Sequence, residues 1–257
     1  MKTVIRFFFL LLLPLWTSAQ EIPDFSANYL VQLNGLQAGE LKRSLSTNAD
    51  GSRQFKSASK AKGVFSFFKP DLVEETSTWS FLGSQIRPQH YLYERTGGKK
   101  EKYMSLDFNW QKNQLHIDDK KQPWHLKLEV GTLDKLVYQL ALMSDLATEQ
   151  TSFTYRIADG GKLKTYDIRI LEEEEITTPL GKIDTIKLIR HRSDKNKRQT
   201  ILWCAPKLNY LPVKLEHTEK GGSVFTALLR RLKGGISTEN VFTPIKKKVS
   251  GIGEFPH

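Results

Sequence analysis

Residues 132–147, TLDKLVYQLALMSDLA, form the one run in the chain with a clear helical period, and that run limits what the rest can build. Leu133, Leu136, Val137, Leu140 and Ala141 fall at i, i+3, i+4, i+7 and i+8, a single stripe on a 3.6-residue repeat. Thr132 suits an N-cap, and Asp134 puts negative charge into the first turn. Nearly everything on either side reads as strand. A lone helix with one apolar face then has only a sheet to bury it against. Fully burying four large apolar side chains gives about 6–12 kcal/mol as an upper bound.

The strands are announced by alternation between turn residues. Residues 25–33, 36–47 and 53–61 are separated by Asn34-Gly35 and by Asn48-Ala49-Asp50-Gly51. Further strands are predicted over 71–81, 86–95, 102–110, 114–117 and 124–130. After the helix they fall over 152–158, 163–175, 183–192, 198–204, 210–218 and 224–232. Pro88 marks an edge or a bulge. A dozen or so short strands joined by tight turns predict a mainly β protein. The expected fold is an antiparallel curved sheet, a barrel or half-barrel, with one principal α-helix packed against it and a sandwich as the alternative. Residues 234–257, with the run Lys246-Lys247-Lys248, read as a loosely held tail.

The first twenty residues give an address. Lys2 and Arg6 precede an apolar run over 7–16, and Thr17-Ser18-Ala19 has the small-x-small form of a signal peptidase site. Cleavage after Ala19 is expected, with an uncleaved anchor as the competing reading. Export is expected, with the periplasm of a Gram-negative cell as the expected address. Two basic residues leave with the segment, so the balance falls from +11 to +9 over the remaining 238 residues. A basic balance in an exported protein points to anionic lipid, lipopolysaccharide or an envelope protein as partner, with peripheral membrane contact, and away from nucleic acid. Cys204 is the only cysteine and has no disulfide partner. Its setting, TILWCAP, makes it a small buried hydrophobe.

Spaced signatures over about residues 25–218 carry a family likeness. They are Tyr29-Leu30-Val31 with Gly35 and Gly39; the run from Leu133 to Leu140; Thr178-Pro179-Leu180-Gly181-Lys182-Ile183-Asp184-Thr185; and Trp203, Ala205, Pro206 with Tyr210-Leu211-Pro212-Val213-Lys214. In these the chain resembles the exported bacterial proteins grouped as domain of unknown function 3108. The resemblance implies an exported β-rich fold and no particular reaction. By fold-level analogy alone, a curved sheet covered by a helix is similar to lipoprotein-carrier half-barrels that hold acyl chains.

Reactive constellations are missing from the sequence. The six histidines, His90, His116, His125, His191, His217 and His257, form no HExxH, and no two stand four apart on a helix. There is no GxSxG and no Walker pattern, and GIGEF over 251–255 lacks the strand and helix a dinucleotide loop needs. The carboxylates at 172–175 alternate on a strand, which suits a solvated strand end better than a glycosidase pair. No catalytic residue, metal site or cofactor is expected.

Two features remain as candidate binding elements. GVFSFFKP over 63–70 crowds Phe65, Phe67 and Phe68 together, as either a core strand end or a rim exposing aromatics to a lipid or apolar ligand. Arg190 and Arg192 share a strand face beside Lys195, Lys197 and Arg198, a hairpin able to grip phosphate or to act as a solvated edge. The expected function is a non-catalytic envelope binding or carrier protein for an apolar or acyl-chain ligand. The alternatives are an envelope module docking through a basic face, and an envelope hydrolase.

Overall fold

The computed structural model describes residues 22–245 apart from 69, 99, 149 and 192–197. The proposed signal segment and the Lys246-Lys247-Lys248 run lie outside the described residues, as do Arg192 and the Phe68 side chain. The first half runs β1 (Phe25–Leu33), β2 (Leu36–Thr47), β3 (Arg53–Ala61), α1 (Val64–Phe68), β4 (Leu72–Leu82), β5 (Gln85–Thr96), β6 (Lys102–Asn109), β7 (Gln114–Asp118) and β8 (Trp124–Lys127). The second runs β9 (Thr132–Asp134), α2 (Tyr138–Asp145), β10 (Ser152–Asp159), β11 (Lys162–Thr178), β12 (Gly181–His191), β13 (Gln199–Ala205), β14 (Leu211–Thr218) and β15 (Val224–Gly234). All strands belong to one sheet, in the order β8-β7-β6-β5-β4-β3-β2-β1-β15-β14-β13-β12-β11-β10-β9. Every pairing is antiparallel except β9 on β10.

Connectivity alone forces this sheet to curl. Laid flat, fifteen strands about 4.8 Å apart would separate its two edges by roughly 67 Å. Yet edge strands β8 and β9 are joined by residues 128–131 only, a link that reaches at most about 18 Å. The β9 edge therefore tucks against the inner face of β4 and β5, where the Ser77 hydroxyl donates to Asp134 Oδ2 at 2.5 Å. The β8 edge closes on the β10–β11 hairpin, where the Trp124 indole N–H donates to Gly161 O at 3.3 Å. Alternation along the strands sends Phe25, Leu45, Phe55, Trp79, Tyr91, Leu106, Ile117, Ile168, Leu188 and Leu202 into one core. Pro88 sits at a bulge, opposite Trp79 where the β4–β5 register shifts.

The helical segment departs from its sequence reading. The helix is eight residues long instead of sixteen. Thr132 is no N-cap: residues 132–134 pair in parallel with 156–158 of β10. Asp134 leaves the strand buried, and its Oδ1 accepts the N–H groups of Leu136 and Val137, both at 2.8 Å. It thus closes the turn that leads into α2, with no role as a solvated first-turn charge. Only Ala141, Ser144 and Asp145 of the helix are partly exposed. Leu136, Val137, Tyr138, Gln139 and Leu140 are all buried, as are Leu142, Met143 and Leu146, so α2 is a plug inside the roll.

The stretch expected to be a loose tail is seated as far as it is described. Ile236 is buried, and Thr243 exchanges two backbone hydrogen bonds of 2.9 Å with Lys182. Among the described residues no helix is long and apolar enough to cross a membrane.

Candidate functional site

The connections β1–β2, β3–β4, β5–β6, β7–β8, β10–β11 and β14–β15 all emerge at one end of the roll, as an antiparallel meander requires. At this end α1 lies over a cleft of about 240 Å³. Its walls are Val31 and Leu33 of β1, Ala38 of β2, Ala61 of β3, Val73 of β4 and Phe225 of β15, and Phe65 of α1 forms its lip. The room comes from small residues. Ser59 and Gly39 line the cleft too, and a Cβ on Gly39 would sit 2.5 Å from the Lys60 carbonyl oxygen. Lys60, Glu40 and Asp71 border it, with Asp71 tied to Arg95 at 2.5 Å.

The predicted binding residues separate in space. Phe65 is half-buried at the lip, whereas Phe67 is 86% exposed and stands off the end of the molecule beside exposed Val64. The aromatic run is therefore a one-turn helix at the rim and not a core strand end. Arg190 turns inward. Its guanidinium lies over the Tyr166 ring at 4.4 Å, donates to Thr200 Oγ1 at 3.0 Å, and reaches the Tyr138 hydroxyl at 3.4 Å. It is held among aromatic rings away from the cleft, so a gripping face that uses Arg190 is ruled out by its orientation.

Charges inside the roll are nearly all engaged. Glu75 accepts from the Tyr91 hydroxyl at 2.7 Å and pairs with Lys135 at 3.1 Å, and the Lys135 ammonium lies 4.4 Å from the centre of the Tyr93 ring. Asp159 holds Lys164 at 2.7 Å and the Tyr166 hydroxyl at 2.9 Å. Burial lifts the Asp134 carboxyl to about 6, against hydrogen bonds from Ser77, Val137 and Leu136 that pull it down. Burial also raises the Tyr91, Tyr155 and Tyr166 hydroxyls and the Cys204 thiol, which has no accessible surface. Arg43 is buried over the Tyr29 ring at 5.8 Å with its Nε unpaired. Such a thiol and such phenols stay protonated and make poor nucleophiles. Three carboxylates of the acidic run at 172–175 form ion pairs: Glu172 and Glu174 with Lys187 at 2.7 and 3.3 Å, and Glu175 with Lys182 at 2.6 Å.

One grouping escaped the sequence reading. His90, Asp107, His116 and His125 lie 9 to 17 residues from their neighbours in the chain, and three successive hairpins bring them into one row across β5–β8. His90 Nδ1 is 2.7 Å from Asp107 Oδ1, and His116 Nδ1 is 3.0 Å from His125 Nε2. Helical spacing rules cannot find such a set; only the strand register can.

A single open sheet rolled about a buried helix, with a cleft at one end, defines a β-barrel-like protein. The chain belongs to the family described as protein of unknown function (DUF3108), whose model matches residues 28–230. A crystal structure of a β-barrel-like protein of domain of unknown function DUF1849 from Brucella abortus shares the fold, with a TM-score of 0.54 at 9% identity over 83% of this chain and 98% of that one. A protein of Parabacteroides distasonis, assigned provisionally as a lipoprotein, aligns over 83% of this chain and 96% of its own at 14% identity, with a TM-score of 0.30, below that of a shared fold. No curated protein matches the sequence.

Proposed function

We propose that the protein is a non-catalytic binding or carrier protein of the cell envelope whose ligand is an amphiphile with an acyl chain. One observation carries the reading: an apolar cleft opens under the lip of Phe65, at the end of the roll where Phe67 and Val64 stand in solvent. Its volume of about 240 Å³ falls below the roughly 300–1,000 Å³ of sites for drug-sized molecules, which favours a narrow chain over a ring system. Six buried methylenes contribute about 5 kcal/mol, no more than the low end of the cost of association. The ligand therefore needs a further contact, and Lys60, which borders the cleft, supplies it. An anionic headgroup meets this lysine as the chain enters the cleft. The DUF1849 likeness supports the barrel-like frame of this reading and leaves the ligand to experiment.

Native mass spectrometry of protein taken from its own envelope is expected to find a co-purifying lipid, and a fluorescent fatty acid is expected to bind. Ala61→Phe fills the cleft from β3 and is expected to weaken the probe at least tenfold without shifting the melting temperature. Full binding by that variant, or neither lipid nor probe on the wild type, would count against the cleft.

A further inference from the structure

The outer face of β5–β8 carries the His90, Asp107, His116 and His125 row. Tyr91, Leu106, Leu115 and Ile117 on β5, β6 and β7 are buried, so strand alternation sends His90, Asp107 and His116 outward, and His125 on β8 is exposed. The two imidazoles of His116 and His125 stand with ring centroids 4.7 Å apart and facing nitrogens 3.0 Å apart. Two nitrogens, each about 2.0–2.1 Å from one ion, are separated by about 2.9 Å at a right angle and about 3.3 Å at the tetrahedral angle. The observed spacing falls inside that span. Asp107 lies directly opposite His116 in the register, a placement that puts paired Cβ atoms about 4.5–5.5 Å apart, within reach of a shared ion.

We propose that His116 and His125 form a surface site for a divalent transition-metal ion of the imidazole-preferring class, copper or zinc, with Asp107 as third ligand and water completing the shell. Among the described residues no three such groups already sit close enough together to hold an ion. Asp107 now faces His90, and it swings one rung across the sheet when the ion enters. A direct hydrogen bond between the two rings gives the same 3.0 Å spacing, so metal titration separates the two cases. The ion would fasten β8, a four-residue strand paired only with β7. This site lies on the outer wall, away from the acyl cleft, and either can fail without the other.

Cu²⁺ alone is added to the untagged protein and followed by electron paramagnetic resonance; Zn²⁺ alone is followed by calorimetry and thermal melting. One ion per chain is expected, with nitrogen ligation in the copper spectrum and a higher melting temperature. His116→Gln or His125→Gln is expected to weaken binding at least tenfold and to abolish the rise in melting, while the metal-free melting temperature holds because both rings reach solvent. Asp107→Asn is expected to weaken binding several-fold. Affinity in the His116→Gln/His125→Gln double variant equal to that of the wild type overturns the site, as does absence of nitrogen ligation in the wild type.

Discussion

Asp134 has no exposed surface, yet it organises the entry to α2 through three hydrogen bonds. Burial raises its folded pKa from 3.8 to about 6, so the folded state holds this proton more tightly than the unfolded chain does. The stability this contributes is fully present below the unfolded value of about 3.8 and is lost as the pH rises through about 6. The shift corresponds to about 3 kcal/mol. Asp134→Asn keeps an acceptor for Leu136 and Val137 and cannot ionise. Denaturant melts of both proteins from about pH 4 to about pH 7 are expected to show the wild type losing about 2 kcal/mol relative to the variant. Parallel curves would mean that the carboxyl is already ionised at the lower limit.

The element that depends on Asp134 is the internal helix. Leu140 is wholly buried, and truncation to Ala is expected to cost about 2–5 kcal/mol in chemical denaturation. Leu140→Asp would place a charge where no counter-ion can follow and is expected to yield no folded protein. Strand positions were legible because alternation and turn residues agree: the expected 25–33, 36–47 and 53–61 coincide with β1, β2 and β3. The helix was half legible. Leu133 fits a 3.6-residue stripe and a buried strand equally well, and pairing with Ile157 decided for the strand. Gln139 lies on the buried side of α2, and its Oε1 is buried without a partner. At the rim, crowded phenylalanines marked α1 correctly as unusual. Their individual directions depend on a single helical turn that five residues cannot announce. Strand alternation did suggest that Arg190 and Arg192 share a face, but it could not say which face is the inner one.

Across the whole molecule, closure rests on contacts between segments at opposite ends of the strand order. Gly161 is the tightest of them: a Cβ there would lie 2.3 Å from Trp124 Cζ2, and its φ of +72° already disfavours side chains. Gly161→Ala is expected to push the indole out and loosen the β8 edge. Faster amide exchange in β7 and β8 and a red-shifted Trp emission are the expected signs, with the β1–β15 pairing unaffected; unchanged exchange would show that the seam closes without this packing.

That β1–β15 pairing has a consequence for how the molecule is made. Tyr29 lies opposite Leu229, two hundred residues further on. A ribosome adding about 5–20 residues per second finishes that interval in roughly 10–40 s. Throughout it, the nascent N-terminal meander shows one unpaired margin to every other growing chain. Newly made copies are thus open to sticking to one another until the last strand arrives.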